Sequence, residues 1–360
     1  MLRNTALLWA NLGILTKKRY DALCKEFGSI DATVDMLGEE FFLALKVRED
    51  GRTDALKRLA GFDPEREERL LQREGIQLFS LEDDAYPTAL RQIADPPVFL
   101  YGKGDWRVLD QPKIGLVGTR EISPYGQRVT EHFTRALVEN GIVTVSGLAA
   151  GIDTAVAHST LAAKGRTVAV LGHGLGCLSA GKRAFAQQIL EAGGLVLSEF
   201  AHTFAGGTYT FPSRNRIIAG LSLATVVLEA PLGSGAIITA DLALDYGREV
   251  FAVPGQVFDL NYEGCHKLIA QGHAMLAQSP STVLQVAGII QREAPASAAV
   301  YLPANADEQA VLDALTTMPQ QLGAIAEKAK LSLGTLNATL TMLELNGAAK
   351  HVGGGQWVLA

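Results

Sequence analysis

The chain has 360 residues, of which 48% are hydrophobic and 37 are glycine, and a formal net charge of −6. That length allows two or three domains with sizeable cores, and the acidic balance excludes a generic polycation, so any nucleic-acid binding must come from a local basic pocket. The scattered Cys24, Cys177 and Cys265 offer neither metal-ligand spacing nor a disulfide framework, no apolar run approaches a membrane span, and the N-terminus lacks a signal-peptide h-region; a cytoplasmic protein without cofactor is expected.

Residues 1–75 read as short helices, because Leu7, Leu8, Leu12, Leu15, Leu23 and Phe27 recur at helical spacing and Gly13, Gly28 and Gly38 punctuate them. The Gly13-Ile14-Leu15 turn followed by Phe27-Gly28-Ser29 has a faint likeness to a helix-hairpin-helix. The hairpin's second glycine is replaced by Leu15, so a plain helical interaction domain is an equal reading. Residues 76–112 form a junction held extended by Tyr86-Pro87 and Asp95-Pro96-Pro97, since each proline pushes its predecessor out of the helical region. Within it, Val98–Tyr101 is expected as an edge strand.

Residues 113–286 repeat strand, glycine turn and helix. The expected strands are Ile114–Val117, Val143–Ser146, Val168–Leu171, Leu195–Ser198, Thr225–Leu228 and Val250–Val253. The expected helices are Tyr125–Glu139, Thr154–Ala163, Arg183–Glu191 and Ile237–Tyr246. Ser123-Pro124 starts a helix; Asn140-Gly141 and Lys164-Gly165 stop one. Apolar strands alternating with helices predict an α/β, Rossmann-like, doubly wound parallel sheet, which binds ligands beyond the carboxyl ends of its strands. The Ala-rich stretch 287–306 reads as a linker. Residues 307–360 read as three helices and a hairpin, a winged helix. Its recognition helix Ser332–Leu345 has no Lys or Arg and includes Glu344, so a protein-contact module is preferred over a DNA reader.

The chemistry concentrates in Phe211-Pro212-Ser213-Arg214-Asn215-Arg216, read as a turn just before an apolar helical run. A helix start leaves N–H groups for an anion, arginine adds a fork for phosphate, and an aromatic face stacks a base. Phe204 and Tyr209 lie in the same loop. Three glycine turns, Gly118-Thr119-Arg120, Ser146–Asp153 and Gly233–Ala236, converge on the sheet's top, where Thr119, Ser146 and Ser234 add hydroxyls. No G-x-G-x-x-G follows the first strand and no P-loop is present. His158, five residues after Asp153, is either half of a catalytic pair or, preferably, a buried histidine bonded to a carbonyl. Glu199 and Glu229 are either general bases or partners for the arginines and loop caps.

The runs Val117–Arg120, Ser123–Gly126, Ser146–Asp153 with His158, Ser198-Glu199, Phe211–Ser222, Glu229-Ala230, Ser234-Gly235, Thr239-Ala240, Gly247-Arg248 and Val253–Gly255 resemble the DprA/Smf family. The resemblance is dense over residues 113–276. It implies a single-stranded-DNA-binding recombination mediator of natural transformation, which protects incoming DNA and loads a RecA-type recombinase without a catalytic step. By position it implies DNA contacts at Gly118, Thr119, Arg120, Ser146, Gly147, Phe211, Arg214, Arg216, Ser234 and Gly235. It also implies a homodimer through Gly264–Leu276, with His266, Leu268, Ile269 and Leu276 as contacts. The N-terminal helices resemble the family's sterile-alpha-motif-like extension, and the terminal winged helix its DML1-like domain. After the third strand, Gly176–Arg183 departs from the family's usual Asp, Tyr-Pro and Asn; Lys182 and Arg183 are the charges that loop offers. A nucleotide-cleaving hydrolase on the same scaffold is the alternative, although its Pro-Gly-Gly-x-Gly-Thr signature is missing. A winged-helix transcription regulator is a third reading.

Overall fold

The computed structural model describes residues 1–289 and 301–359. The chain forms two compact units divided after residue 292. Of the expected linker 287–306, positions 290–300 lie outside the described residues.

The first unit opens with helices α1 (Arg3–Leu12), α2 (Lys17–Phe27), α3 (Glu39–Ala44), α4 (Glu49–Ala60) and α5 (Pro64–Glu74). Asp63 caps α5, with Pro64 in the first turn and Gly75 in the left-handed region as its stop. Trp9, Phe42 and Leu71 from these helices, and Ile30 from the 3-10 turn between α2 and α3, share one apolar cluster with Tyr101, Leu171 and Val196 of the sheet. The chain continues through β1 (Gln77–Ser80), α6 (Thr88–Arg91), β2 (Phe99–Gly104), β3 (Lys113–Gly118), α7 (Pro124–Glu139) and β4 (Val143–Ser146). Then come α8 (Ile152–Ala162), β5 (Thr167–Leu171), α9 (Ala180–Glu191), β6 (Leu195–Ser198), α10 (Thr210–Leu221) and β7 (Ala224–Glu229). The unit closes with α11 (Gly235–Asp245), β8 (Glu249–Ala252), α12 (Glu263–Ala270), β9 (Met275–Leu276) and α13 (Pro280–Val286).

The sheet order is β1-β2-β6-β5-β4-β3-β7-β8-β9, parallel from β6 to β9. β4 to β7 are buried along their whole length, as strands covered by helices on both faces must be, and so read as near-continuous apolar runs. The strand expected at the edge is instead β2, antiparallel to β6 and covered on its other side by β1. A lone apolar run carries no information about what pairs outside it.

Ser123 caps α7 as expected, its Oγ accepting the Gly126 N–H at 2.9 Å, with Pro124 at the first position. The expected turn at Phe211–Arg216 is different: α10 begins at Thr210, so Phe211, Pro212 and both arginines lie within the helix. Proline at the start of a helix loses no intrahelical bond and does not mark a preceding turn.

The second unit has helices α14 (Ala306–Ala314), α15 (Leu322–Ala329) and α16 (Leu333–Leu345) with strands β10 (Gln320–Gln321), β11 (Ala349–His351) and β12 (Gln356–Leu359) in antiparallel order β10-β12-β11. This is a winged-helix arrangement around Val311, Ile325, Leu336, Leu340 and Trp357. On α16, Leu333, Asn337, Thr341 and Leu345 face solvent, so its outer surface carries no cation.

Candidate nucleic-acid interface

After β3 the winding reverses: β4 to β6 lie on one side and β7 to β9 on the other. The connections leaving the carboxyl ends of β3 and β7 therefore run to opposite sides at a topological switch point, where an open α/β sheet leaves a crevice. A cleft of about 310 Å³ lies there. Its walls are joined by backbone bonds: the Thr119 N–H donates to the Glu229 carbonyl at 2.7 Å, and the Ile152 N–H donates to the Thr119 carbonyl at 3.0 Å. Gly118, Thr119, Arg120, Phe211, Arg214, Ser234 and Gly235 line the cleft, together with Asp153.

Arg214 forms the floor. Its side chain is only 4% exposed; Nη1 donates to the Val170 carbonyl at 2.6 Å and Nη2 lies 3.8 Å from Asp153. Burial pulls its pKa below the usual arginine value, Asp153 opposes that, and the neighbouring Arg120 adds to it. Nε has no partner. Gly147 gives the guanidinium its room, since a Cβ there would stand 1.6 Å from Nη1. The next residue, Leu148, is buried at φ 55°, a left-handed conformation that costs a β-carbon residue about 1 kcal/mol or more. That kink drives the Leu148 side chain into the core and keeps Gly147 against the arginine.

Arg120 is exposed at the cleft's mouth, its guanidinium 5.7 Å from the centroid of the half-buried Phe211 ring. Lys182, on the first turn of α9, completes the charge. Lys182 does not line the cleft itself; partial burial and then Arg214 lower its pKa, Asp153 opposes them and Arg120 adds to the lowering. Ser234 caps α11, accepting the Ala236 N–H at 3.3 Å, which turns that helix start toward the cleft.

Three of the expected contacts turn elsewhere. Arg216 pairs with Glu199 and lies 3.3 Å from Asp95. Residues two apart on a helix point in nearly opposite directions, so Arg214 and Arg216 cannot share one pocket. The buried Ser146 hydroxyl donates to the Leu116 carbonyl at 2.7 Å, tying β4 to β3. Arg183 donates to the Gly176 and Leu178 carbonyls at 3.3 Å.

The acid–base candidates are also occupied. His158 is exposed and stacks on Phe185 at 4.1 Å, while Asp153 faces Arg214, so neither arrangement expected for His158 forms. Burial raises the Glu199 carboxyl and Arg216 opposes it. Burial also raises Glu229, whose carboxylate accepts the Ser123 N–H at 3.1 Å at the start of α7; Gly126 leaves it room. Asp153 and Asp95 are the partners that sequence reasoning missed. The available signal was two arginines in a largely apolar segment, which need carboxylates from elsewhere.

At the proposed dimer surface, Leu276 on β9 is 37% exposed and Ile269 is half-buried, whereas Leu268 is 2% exposed and belongs to the core. His266 Nε2 lies 3.2 Å from the Gly255 carbonyl. Among the described residues, no cluster of His, Cys, Asp or Glu could hold a metal ion, and no helix is long and apolar enough to cross a membrane.

Residues 77–288 match the family model for DNA recombination-mediator protein A, and residues 293–355 match the DprA winged helix domain. DNA processing protein DprA of Streptococcus pneumoniae is 43% identical over 206 residues, 57% of this chain and 72% of that one. DprA of Bacillus subtilis is 40% identical over 200 residues, 55% of this chain and 67% of that one. The crystal structure of S. pneumoniae DprA superposes with a TM-score of 0.63 at 34% identity, covering 79% of this chain and 98% of that one. DNA processing protein A from Helicobacter pylori, solved for its single-stranded DNA binding mode, gives a TM-score of 0.52 at 30% identity, covering 58% of this chain and 95% of that one. With its parallel sheet and winged helix both matched, this chain belongs to the DNA recombination-mediator protein A family, the DprA/Smf proteins.

Proposed function

We infer that residues 113–286 bind single-stranded DNA in the switch-point cleft, and that a homodimer of this chain protects the strand and loads a RecA-type recombinase onto it. The observation that carries the reading is Arg120 over the Phe211 ring in a cleft that Arg214 also lines, with Lys182 on the neighbouring α9 adding a third charge. Three cations suit consecutive phosphates, and a ring suits any base, so affinity without sequence preference follows. Neither Glu199 nor Glu229 lines the cleft, and each is held by a structural partner, which favours binding over hydrolysis.

Titration of oligo-dT across a salt series tests this. Arg120→Ala is expected to weaken binding about tenfold for every sequence and to lower the salt slope by about 0.7. Preference of the wild type for duplex, or an unchanged slope in the variant, would count against the reading. For the dimer, Ile269→Asp is expected to give monomers by light scattering without loss of fold. Leu268→Asp would unfold the unit instead, because that side chain is internal. Dimers that survive Ile269→Asp would place the interface elsewhere.

A further inference from the structure

A second cavity, of about 210 Å³, is lined in part by α9, none of whose residues lines the cleft. Its floor is apolar, made by Ile76, Leu175, Leu178 and Val196, all less than a tenth exposed. Its rim is polar: Lys103 from β2, Arg183 and Gln187 from α9, Glu74 at the end of α5, and His202 after β6. The volume falls below the roughly 300–1,000 Å³ typical of drug-sized ligands, so it suits a single flat ring system.

The rim carries two cations, Lys103 and Arg183, against one carboxylate, Glu74. His202 is held below the usual histidine pKa by burial and by Lys103, Arg183 and Arg73, with Glu74 opposing. An apolar slot under a cationic rim fits a nucleobase whose attached phosphate stays at the mouth, and Gln187 and Glu74 offer donor and acceptor groups to the ring's edge.

The cavity is also within reach of the cleft. Lys182 and Arg183 are consecutive on the first turn of α9: the Lys182 ammonium lies in the field of Arg120 and Arg214, while Arg183 reaches the Gly176 and Leu178 carbonyls beside the cavity.

We propose that this cavity is a second base site: a nucleobase of the strand held in the cleft inserts between Leu178 and Ile76, after the backbone crosses the first turn of α9 between Lys182 and Arg183. The proposal rests on the single-strand reading of the cleft and extends it to the length of strand engaged.

The test titrates the full chain with an oligo-dT ladder from the shortest strand that binds upward, and with strands carrying one 2-aminopurine at successive positions. Gln187→Trp covers the cavity from its exposed rim, and Lys103→Ala removes a rim cation without touching the floor. Wild type is expected to gain affinity in a step at the length that first reaches the cavity, with 2-aminopurine emission changing at that one position. Gln187→Trp is expected to lose the step, about tenfold, while binding the shortest strands normally; Lys103→Ala is expected to reduce it. If both variants follow wild type along the whole ladder and no position changes emission, the cavity holds no base and the cleft reading survives. If Arg120→Ala binds the shortest strands as tightly as wild type, the cleft reading falls and takes this proposal with it.

Discussion

Gly147→Ala is expected to abolish single-strand binding, a loss of at least a hundredfold, although it adds only one methyl group. The new Cβ would lie 1.6 Å from Arg214 Nη1 and 2.2 Å from Cζ. A guanidinium on the surface would swing aside. This one is enclosed and bonded to the Val170 carbonyl, so either the Ser146–Asp153 turn moves or Arg214 leaves the floor. Expulsion strands Asp153, 7% exposed, without its cation; breaking one partner from a buried pair costs about 3–5 kcal/mol. Function and stability should therefore fall together. Gly323→Ala is the control: nothing lies within 4 Å of its added Cβ, and it sits in α15 of the second unit, so it should not destabilise and should leave binding unchanged. Gly147→Ala that melts and binds like wild type would show that Arg214 is not held as described.

The second large effect concerns stability alone. Glu199→Ala is expected to cost about 3–5 kcal/mol, because it leaves Arg216, with its side chain 14% exposed, facing only Asp95. A guanidinium stays protonated in proteins even when buried, so Arg216 cannot escape the cost by losing its charge once Glu199 is gone. Asp95 is 60% exposed at its side chain, and Asp95→Ala should cost no more than about 1 kcal/mol. Thermal melts of the two variants check the asymmetry. Equal small losses would mean the Glu199–Arg216 pair contributes as little as a surface pair. A Glu199→Leu/Arg216→Met double variant should recover most of the stability, since apolar groups of similar size can replace a buried ion pair.

These expectations give Arg214 and Arg216 separate roles that their spacing in the chain conceals. Arg214 provides the positive floor of a ligand cleft. Arg216, on the other side of the same helix, anchors α10 to the end of β6 and to the 76–112 junction. The buried carboxylates likewise act in architecture: Glu229 holds the start of α7, and Asp153 balances Arg214.

Local patterns in the sequence carried the architecture a long way. Apolar runs bounded by glycine located the parallel strands β3 to β8 to within a residue or two, because strands covered on both faces must be apolar along their length, whereas the two-residue parallel β9 was not expected. Ser123-Pro124 and Gly141 marked the ends of α7, because capping depends on a few consecutive residues. The glycine turns and Arg120 could be placed at the sheet's top by the same reasoning, since strand polarity alone decides where each turn falls. What tertiary structure decided was direction and partnership. Whether Phe211–Arg216 was turn or helix set which arginine faced the cleft, and proline at a helix start is compatible with both. The partners of Arg214, Arg216 and Glu229 come from segments up to 121 residues away in the chain, and nothing in local spacing encodes such a meeting. β1 covering β2, Leu268 turning inward and the second cavity beside α9 depend in the same way on packing between distant segments, which forms only once the whole sheet closes.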